Sequence, residues 1–297
     1  MRNDGRSTWG VRGRSLTLDR PYIFGVLNAT PDSFSDGGRF VRVDDAIAHV
    51  ERMVAEGADA IDVGGESTRP QGATPVDAAE ERRRVVPLVR ELRRRFPDTL
   101  LSIDTVKSDV AEAALGEGAD VVNDVSGFRL DPRMGEICAS AGAGVILMHS
   151  RGGVSEMATY RLAEYGDDVV GEVTAELEAR VRDALAAGVG SDSIVVDPGI
   201  GFTKRSEHSL RVLAELERIA GLGWPVMVGV SRKRFIGELT GVSEAAERVH
   251  GTTGANVVAL TRGARLFRVH DVRPARHALD VAWAVLRAAG AAGGVPA

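Results

Sequence analysis

Eight times along this chain a short apolar run, with the length and composition of a buried strand, stops abruptly in polar residues. The runs cover residues 23–27, 60–64, 100–103, 120–122, 144–148, 194–196, 226–230 and 265–269. Helical patterning follows at 44–56, 77–95, 108–117, 132–141, a long stretch ending at 187, 207–220 and 274–289, and a further helix is expected to open at Ser231. Alternation of strand and helix implies a parallel sheet. Eight such units in 297 residues favour an α/β fold of the closed (β/α)8 TIM-barrel type over an open doubly wound sheet. No linker or shift of composition marks a second domain, so residues 1–297 are expected to form one domain. Its barrel core spans about 22–289, with a lead-in hairpin around Gly13 and a frayed tail at 290–297.

In such a barrel the carboxyl ends of the strands share one mouth. That gathers Asn28, Asp62, Asp104, Asn123, His149, Asp197, Ser231, Lys233, Arg268 and His270. The first strand makes the point most densely, because FGVLNATPDSFSDGG passes from an apolar run into Asn28, Thr30, Asp32, Ser33, Ser35 and Asp36. Turn formation alone explains Asn28, Pro31 and Asp32. Polar residues at the end of every strand have no packing reason to be there.

Charge and cysteine content narrow the chemistry. A net charge of -5 argues against nonspecific nucleic-acid binding, which needs a positive surface. The arginines between Arg82 and Arg95 alternate with Glu80, Glu81 and Glu91 and read as a solvated helix face. No apolar run approaches a membrane span, and the basic N-terminus lacks the apolar centre of a signal peptide, so a cytoplasmic protein is expected. Cys138 is the only cysteine, which excludes an intrachain disulfide and CxxC sites. In its helix it reads as a small core residue.

Asp62, Asp104 and Asp197 would be partly buried carboxylates, and these require cations, a metal or a donor-rich ligand edge. Lys233, Arg69, Arg232 and Arg268 are the candidate cations, and an ion-pair network is the structural reading of any one pair. Ser231 is a candidate N-cap, and a helix start flanked by Arg232 and Lys233 suits a carboxylate or phosphate. Arg268 and His270 alternate on the last strand, share a side and suit a phosphate. His149 is a candidate base or a structural histidine. Walker A, GxGxxG and HExxH sequences do not occur, and GVSRK falls short of a nucleophile elbow because Lys233 stands where the second glycine belongs. The residues by themselves support a barrel that binds an anionic, phosphorylated heterocycle.

The motifs NATPDSFSDGG, DVGGESTRP, SIDTVK, NDVSG, LMH, DPGIGF, GVSRKRFIG and RVHDV run in order from about residue 22 to 285, each at an expected strand end. Together they resemble the dihydropteroate synthases of folate biosynthesis. The resemblance implies a transferase that condenses (7,8-dihydropterin-6-yl)methyl diphosphate with 4-aminobenzoate to give 7,8-dihydropteroate and diphosphate. Asp104, Asn123, Asp197 and Lys233 would hold the pterin, with Met148 against its ring. Asn28 would ligate Mg²⁺ and, with Arg268 and His270, face the diphosphate. Ser231 and the helix start after it would receive the aminobenzoate carboxylate, Phe202 would be a wall, and Phe34, Asp36, Thr68, Arg69 and Pro70 would complete that second pocket. Asp36, Arg69, Lys233, Arg268 and His270 would be the catalytic set, acting in a dissociative substitution. The resemblance also implies a homodimer and a site that admits sulfonamides. The apolar residues Val257, Leu260, Val281, Trp283 and Val285 suit either an interface or the helix ring.

Four positions depart from the family pattern. The motif MHMxGxP reads MHSRGG here, with Ser150 for methionine and Val154 where proline is expected. GFTK, with Thr203, replaces the commoner GFGK, and Ala29 replaces a β-branched residue. A rival reading is the pterin-binding barrel of methyltetrahydrofolate-dependent methyltransferases, which does not explain TPDSFSDGG or ESTRP. A non-catalytic pterin-binding or interaction protein is another, and the joint presence of Asn28, Arg69, Lys233, Arg268 and His270 weighs against it.

Overall fold

The computed structural model describes residues 8–29, 39–66 and 76–293. The barrel strands are β3 (Tyr22–Asn28), β4 (Ala60–Gly64), β5 (Leu100–Asp104), β6 (Val121–Asp124), β7 (Gly144–Met148), β8 (Ile194–Asp197), β9 (Met227–Val228) and β10 (Leu266–Val269). They pair in parallel in the order β8-β7-β6-β5-β4-β3-β10-β9, and a single parallel bridge between Val196 and Val226 joins the two ends. The expected strand over 226–230 is therefore only two residues long. Its start is limited by Pro225, which offers no N–H and contributes only its carbonyl, to the Val196 N–H at 3.0 Å.

Strand alternation fixes what fills the barrel. Phe24, Ala60, Leu100, Val121, Ile146, Val195, Met227 and Leu266, one from each strand, form one buried cluster. The hairpin β1 (Thr8–Val11) and β2 (Arg14–Thr17) closes it from below, as expected around Gly13. Trp9 is fully buried, with its ring 6.2 Å from that of Phe24 and its Nε1 donating to the Ser193 carbonyl at 2.9 Å. Two residues further along each strand, the same inward face carries Val26, Asp62, Ser102, Asn123, Met148, Asp197, Gly229 and Arg268. The apolar floor thus gives way to a polar layer in one step.

The intervening residues face outward, where Ile23, Val63, Ile103, Val122, Val145, Val196, Val228 and Phe267 join the core beneath the helices. That ring consists of α1 (Arg39–Ala55), α2 (Ala78–Arg95), α3 (Ser108–Gly116), α4 (Met134–Ala141), α5 (Val154–Met157), α6 (Val169–Ala186), α7 (Ser206–Ala214), α8 (Leu216–Ala220), α9 (Arg234–Thr240), α10 (Val249–Thr261) and α11 (Val272–Gly293). Helix α2 is capped by Asp77, which accepts the Glu80 N–H at 2.7 Å, and its arginines pair with Glu80 and Glu91 on the exposed face. Cys138 is buried in α4 as expected.

Three further expectations need correction. The helix expected over 207–220 is two, broken at Glu215. The tail expected to fray from 290 is helical to Gly293, in keeping with its alanine-rich sequence. Helix α9 begins at Arg234 with Lys233 in the cap position, so Ser231 is not its N-cap. Of the late apolar residues, Leu260 is buried in the ring, whereas Val281 and Val285 are 67% and 62% exposed. Among the described residues no helix is long and apolar enough to cross a membrane.

Candidate active site

A cleft of ≈ 690 Å³ opens at the carboxyl ends of the strands. Asn28, Asp104, Asn123, Met148, Asp197, Phe202, Ser231, Lys233, Arg268 and His270 all line it, whereas Asp62 and His149, expected at the same mouth, are buried and do not. Phe34, Asp36, Thr68, Arg69 and Pro70 lie outside the described residues.

The floor is organised by Asp62, one of the carboxylates expected to require a cation. Its carboxylate is fully buried; Oδ2 accepts from Arg268 Nε at 2.6 Å and from Asn123 Nδ2 at 3.1 Å, while Oδ1 has no partner. A carboxylate that can only accept fixes the Asn123 amide with its nitrogen toward Asp62. The Asn123 carbonyl oxygen is then the acceptor left for a ligand. Arg268 also donates to Asp104 Oδ2 at 2.7 Å, so one guanidinium faces two carboxylates. Burial pushes Asp104 up to about 7 against the pull of Arg268. Asp197 is pushed up to about 6 by burial, opposed by the Gly199 N–H that it accepts at 2.7 Å. Burial, with Arg268 adding to it, brings Lys233 down to about 7, and its Nζ lies 3.7 Å from the centroid of the Phe202 ring. The floor therefore offers Asp104, Asp197 and Asn123 as acceptors beside a lysine donor, the complement of a planar ring edged with N–H groups.

At the mouth, Ser231 Oγ accepts the His270 backbone N–H at 3.1 Å and lies 2.9 Å from His270 Nδ1. Arg232 adopts a left-handed conformation at φ 60, and its guanidinium grips Asp271 through two bonds of 3.0 and 2.7 Å. The Thr252 hydroxyl accepts the Arg232 N–H at 3.0 Å, and Arg248 holds the Arg232 carbonyl at 3.1 Å. Three of the four non-glycine residues with positive φ among the described residues, Phe128, Thr203 and Arg232, lie in the loops after β6, β8 and β9. Backbone strain concentrates where a site is built.

His149 is a structural residue. It is buried, its Nδ1 lies 2.7 Å from Lys204 Nζ and its Nε2 lies 3.1 Å from Glu176. Burial and the Lys204 charge push it down to about 4. Lys204, buried and itself pushed down to about 7 by burial, was not singled out by sequence reasoning; its only signal is a cation directly after Asp197-Pro-Gly-Ile-Gly-Phe-Thr. Glu66 was missed as well. Its Oε1 accepts the Val76 N–H at 3.1 Å and its Oε2 accepts from Lys107 at 2.6 Å, so it joins Val76 to the loop after β5.

Metal binding is tested by the donors present. Among the described residues no group of three or more His, Cys, Asp or Glu side chains is placed to hold a metal ion. Asn28 Oδ1 and Asp104 Oδ2 flank Gly64, where a Cβ would meet them at 3.9 and 3.7 Å. Such hard oxygens suit Mg²⁺ that takes most of its ligands from phosphate and water.

The chain matches the family model described as pterin binding enzyme over residues 24–270. It is 46% identical over 278 residues to the dihydropteroate synthase of Mycobacterium leprae (strain TN), covering 92% of this chain and 96% of that one. It is 40% identical over 280 residues to the mitochondrial folate synthesis bifunctional protein of Arabidopsis thaliana, covering 91% of this chain and 50% of that one, so it spans about half the length of that relative. The structure of Xanthomonas albilineans dihydropteroate synthase with 4-aminobenzoic acid superposes with a TM-score of 0.86 at 43% identity, covering 95% of this chain and 99% of that one.

Proposed function

The chain belongs to the pterin binding enzyme family, within which it is a dihydropteroate synthase, a transferase of folate synthesis, and we propose how its cleft joins the two substrates. The observation that carries the assignment is the register of the barrel interior, which brings Asn123, Asp197 and Arg268 into one inward layer with Asp104 directly above. Asp104, Asp197 and the Asn123 carbonyl accept the N–H edge of the dihydropterin, Lys233 donates to it, and Met148 covers its ring. Arg268 and His270 face the diphosphate, with Asn28 beside them. Ser231 and Phe202 border the 4-aminobenzoate. Phe34, Asp36, Thr68, Arg69 and Pro70 are assigned to this second pocket by family resemblance alone.

The substitution is dissociative. The C–O bond breaks first and its electron pair leaves with the diphosphate, whose growing charge Arg268 and His270 stabilise. The buried carboxylates of the floor favour the cationic pterin left behind, and the neutral arylamine then forms the C–N bond from its lone pair and releases a proton. An arylamine is nucleophilic without deprotonation, so no strong base is needed. Asn28 would hold Mg²⁺ together with diphosphate oxygens and water, and the ion would neutralise charge on the leaving group.

The test is diphosphate release by the purified protein given the pterin diphosphate, Mg²⁺ and 4-aminobenzoate, each omitted in turn. Release dependent on all three, with 7,8-dihydropteroate as product, is expected; binding without turnover would instead identify a pterin-binding protein. A cytoplasmic homodimer is the proposed form, with Val258, Val281 and Val285 as exposed apolar contacts. Val281→Glu is expected to shift sedimentation to the monomer, and an unchanged sedimentation coefficient would remove this face from the interface.

A further inference from the structure

Thr203 is a costly residue for its place. Its φ of 44 lies in the left-handed region, which glycine enters freely and a β-branched side chain resists. The family's commoner GFGK would place a glycine here, so the threonine side chain must be doing something that a glycine cannot. Thr203 is fully buried and does not line the cleft, but its neighbours Phe202 and Lys204 both do.

Its hydroxyl reaches across to the segment that follows β7. Thr203 Oγ1 accepts the Arg151 N–H at 3.1 Å, and the Thr203 N–H donates to the Met157 carbonyl at 2.7 Å. One residue earlier, the Ser150 hydroxyl donates to the Val125 carbonyl at 2.7 Å, joining the same segment to the loop after β6. Two positions at which this chain departs from the family pattern, Ser150 and Thr203, thus lie on one seam. A third, Val154, lacks the proline that would stiffen the same segment. The seam backs the apolar wall of the cleft, where Met157 clusters with Val106, Val125, Met148 and Phe202.

We propose that Thr203 is a positioning residue that sets the affinity of the cleft for the pterin ring, by pinning the segment after β7 so that Met157 supports Met148, the residue assigned to that ring. The inference rests on the synthase reading. A glycine at 203 keeps the turn and the backbone bond to Met157 but leaves the Arg151 N–H without its acceptor.

The variants Thr203→Gly, Thr203→Ala and Thr203→Ser separate strain from the hydroxyl. In Thr203→Gly and Thr203→Ala the KM for the pterin diphosphate is expected to rise about three- to tenfold, the worth of one neutral hydrogen bond, with kcat little changed. Thr203→Ser should restore it. A fall in melting temperature with unchanged KM in the Gly and Ala variants would reduce Thr203 to a structural role and overturn the inference. So would an equal rise in Thr203→Ser, because the hydroxyl would then not be the cause. Calorimetric binding of the pterin diphosphate to wild type and variants gives the same comparison without turnover, whereas turnover by the wild type alone tests the synthase reading.

Discussion

Arg268 Nε donates to the fully buried Asp62 carboxylate at 2.6 Å, reaching over β3 from β10 to β4. The same guanidinium serves Asp104, so a single planar fork holds two carboxylates that would otherwise repel. Burial alone would lower the Arg268 pKa, but Asp62 and Asp104 outweigh it and hold it above the ordinary range.

Arg268→Ala leaves both carboxylates uncompensated. Turnover should be lost, and urea unfolding near neutral pH should show a destabilisation of about 3 kcal/mol, the usual cost of removing one partner from a buried ion pair. Arg268→Lys should not rescue activity, because a point charge cannot span both acceptors. A stable Arg268→Ala protein would mean that Asp62 is neutralised by another group.

Asp104 also ties stability to pH. Its native pKa of about 7 lies above the unfolded carboxylate value of about 3.9. The native state therefore holds the extra proton between these values, and the stability this contributes at low pH is lost as pH rises through about 7. Asp104→Asn does not titrate. Its stability relative to wild type should therefore climb between about pH 4 and pH 7 and level off above that, with a slope of at most about 1.4 kcal/mol per pH unit. Urea unfolding of both proteins across that range is the check, and parallel curves would show that Asp104 ionises with an ordinary pKa.

The residues that fill the barrel are legible because a strand repeats every two residues. Once Phe24 and Leu266 are placed inside, Val26 and Arg268 must share that face, and Asn28 and His270 follow. What the sequence hides depends on contacts between distant strands. Asp62 reads as a carboxylate in need of a cation, but that Arg268 and Asn123 are the donors that meet on it shows only in the fold. Lys204 looks like a surface cation, and only its approach to His149, 55 residues away in sequence, marks it as buried. The brevity of β9 is half legible, since Pro225 marks its start, whereas closure through the single bridge between Val196 and Val226 is a contact between distant strands. Ser231 has the local grammar of a cap, yet its hydroxyl is taken by His270 from the neighbouring strand.

The oxygen set around Gly64 makes a prediction for metal dependence. With Asn28 as a protein ligand and the rest of the shell supplied by diphosphate and water, Mg²⁺ should bind weakly alone and tightly with the pterin diphosphate. Chelation should abolish diphosphate release, and Asn28→Ala should raise the Mg²⁺ concentration for half-maximal rate about tenfold, equivalent to about 1.4 kcal/mol. Magnesium titrations of the rate decide it. An unchanged requirement in Asn28→Ala would place the ion elsewhere.

Ser231 makes the last prediction, because its hydroxyl meets both the backbone and the ring of His270. Oγ accepts the His270 backbone N–H at 3.1 Å, so its own proton is available to Nδ1 at 2.9 Å. Donation to Nδ1 places the neutral imidazole proton on Nε2, making that nitrogen a donor suited to a phosphate oxygen. Helix α9 starts only at Arg234, so the hydroxyl, rather than a helix cap, is what Ser231 offers the aminobenzoate carboxylate. Ser231→Ala removes both functions while leaving Arg232 and its Asp271 partner in place. The expected result is a kcat lowered about tenfold or more, through loss of an aligned donor at the leaving group, together with a raised KM for 4-aminobenzoate. The KM for the pterin diphosphate should change less, because among the described residues the side-chain hydrogen bonds of Ser231 go to His270 and not to the floor. Ser231→Thr, which keeps the hydroxyl, should recover most of kcat. If only the 4-aminobenzoate KM moves, Ser231 serves the second substrate alone and His270 is oriented by another partner.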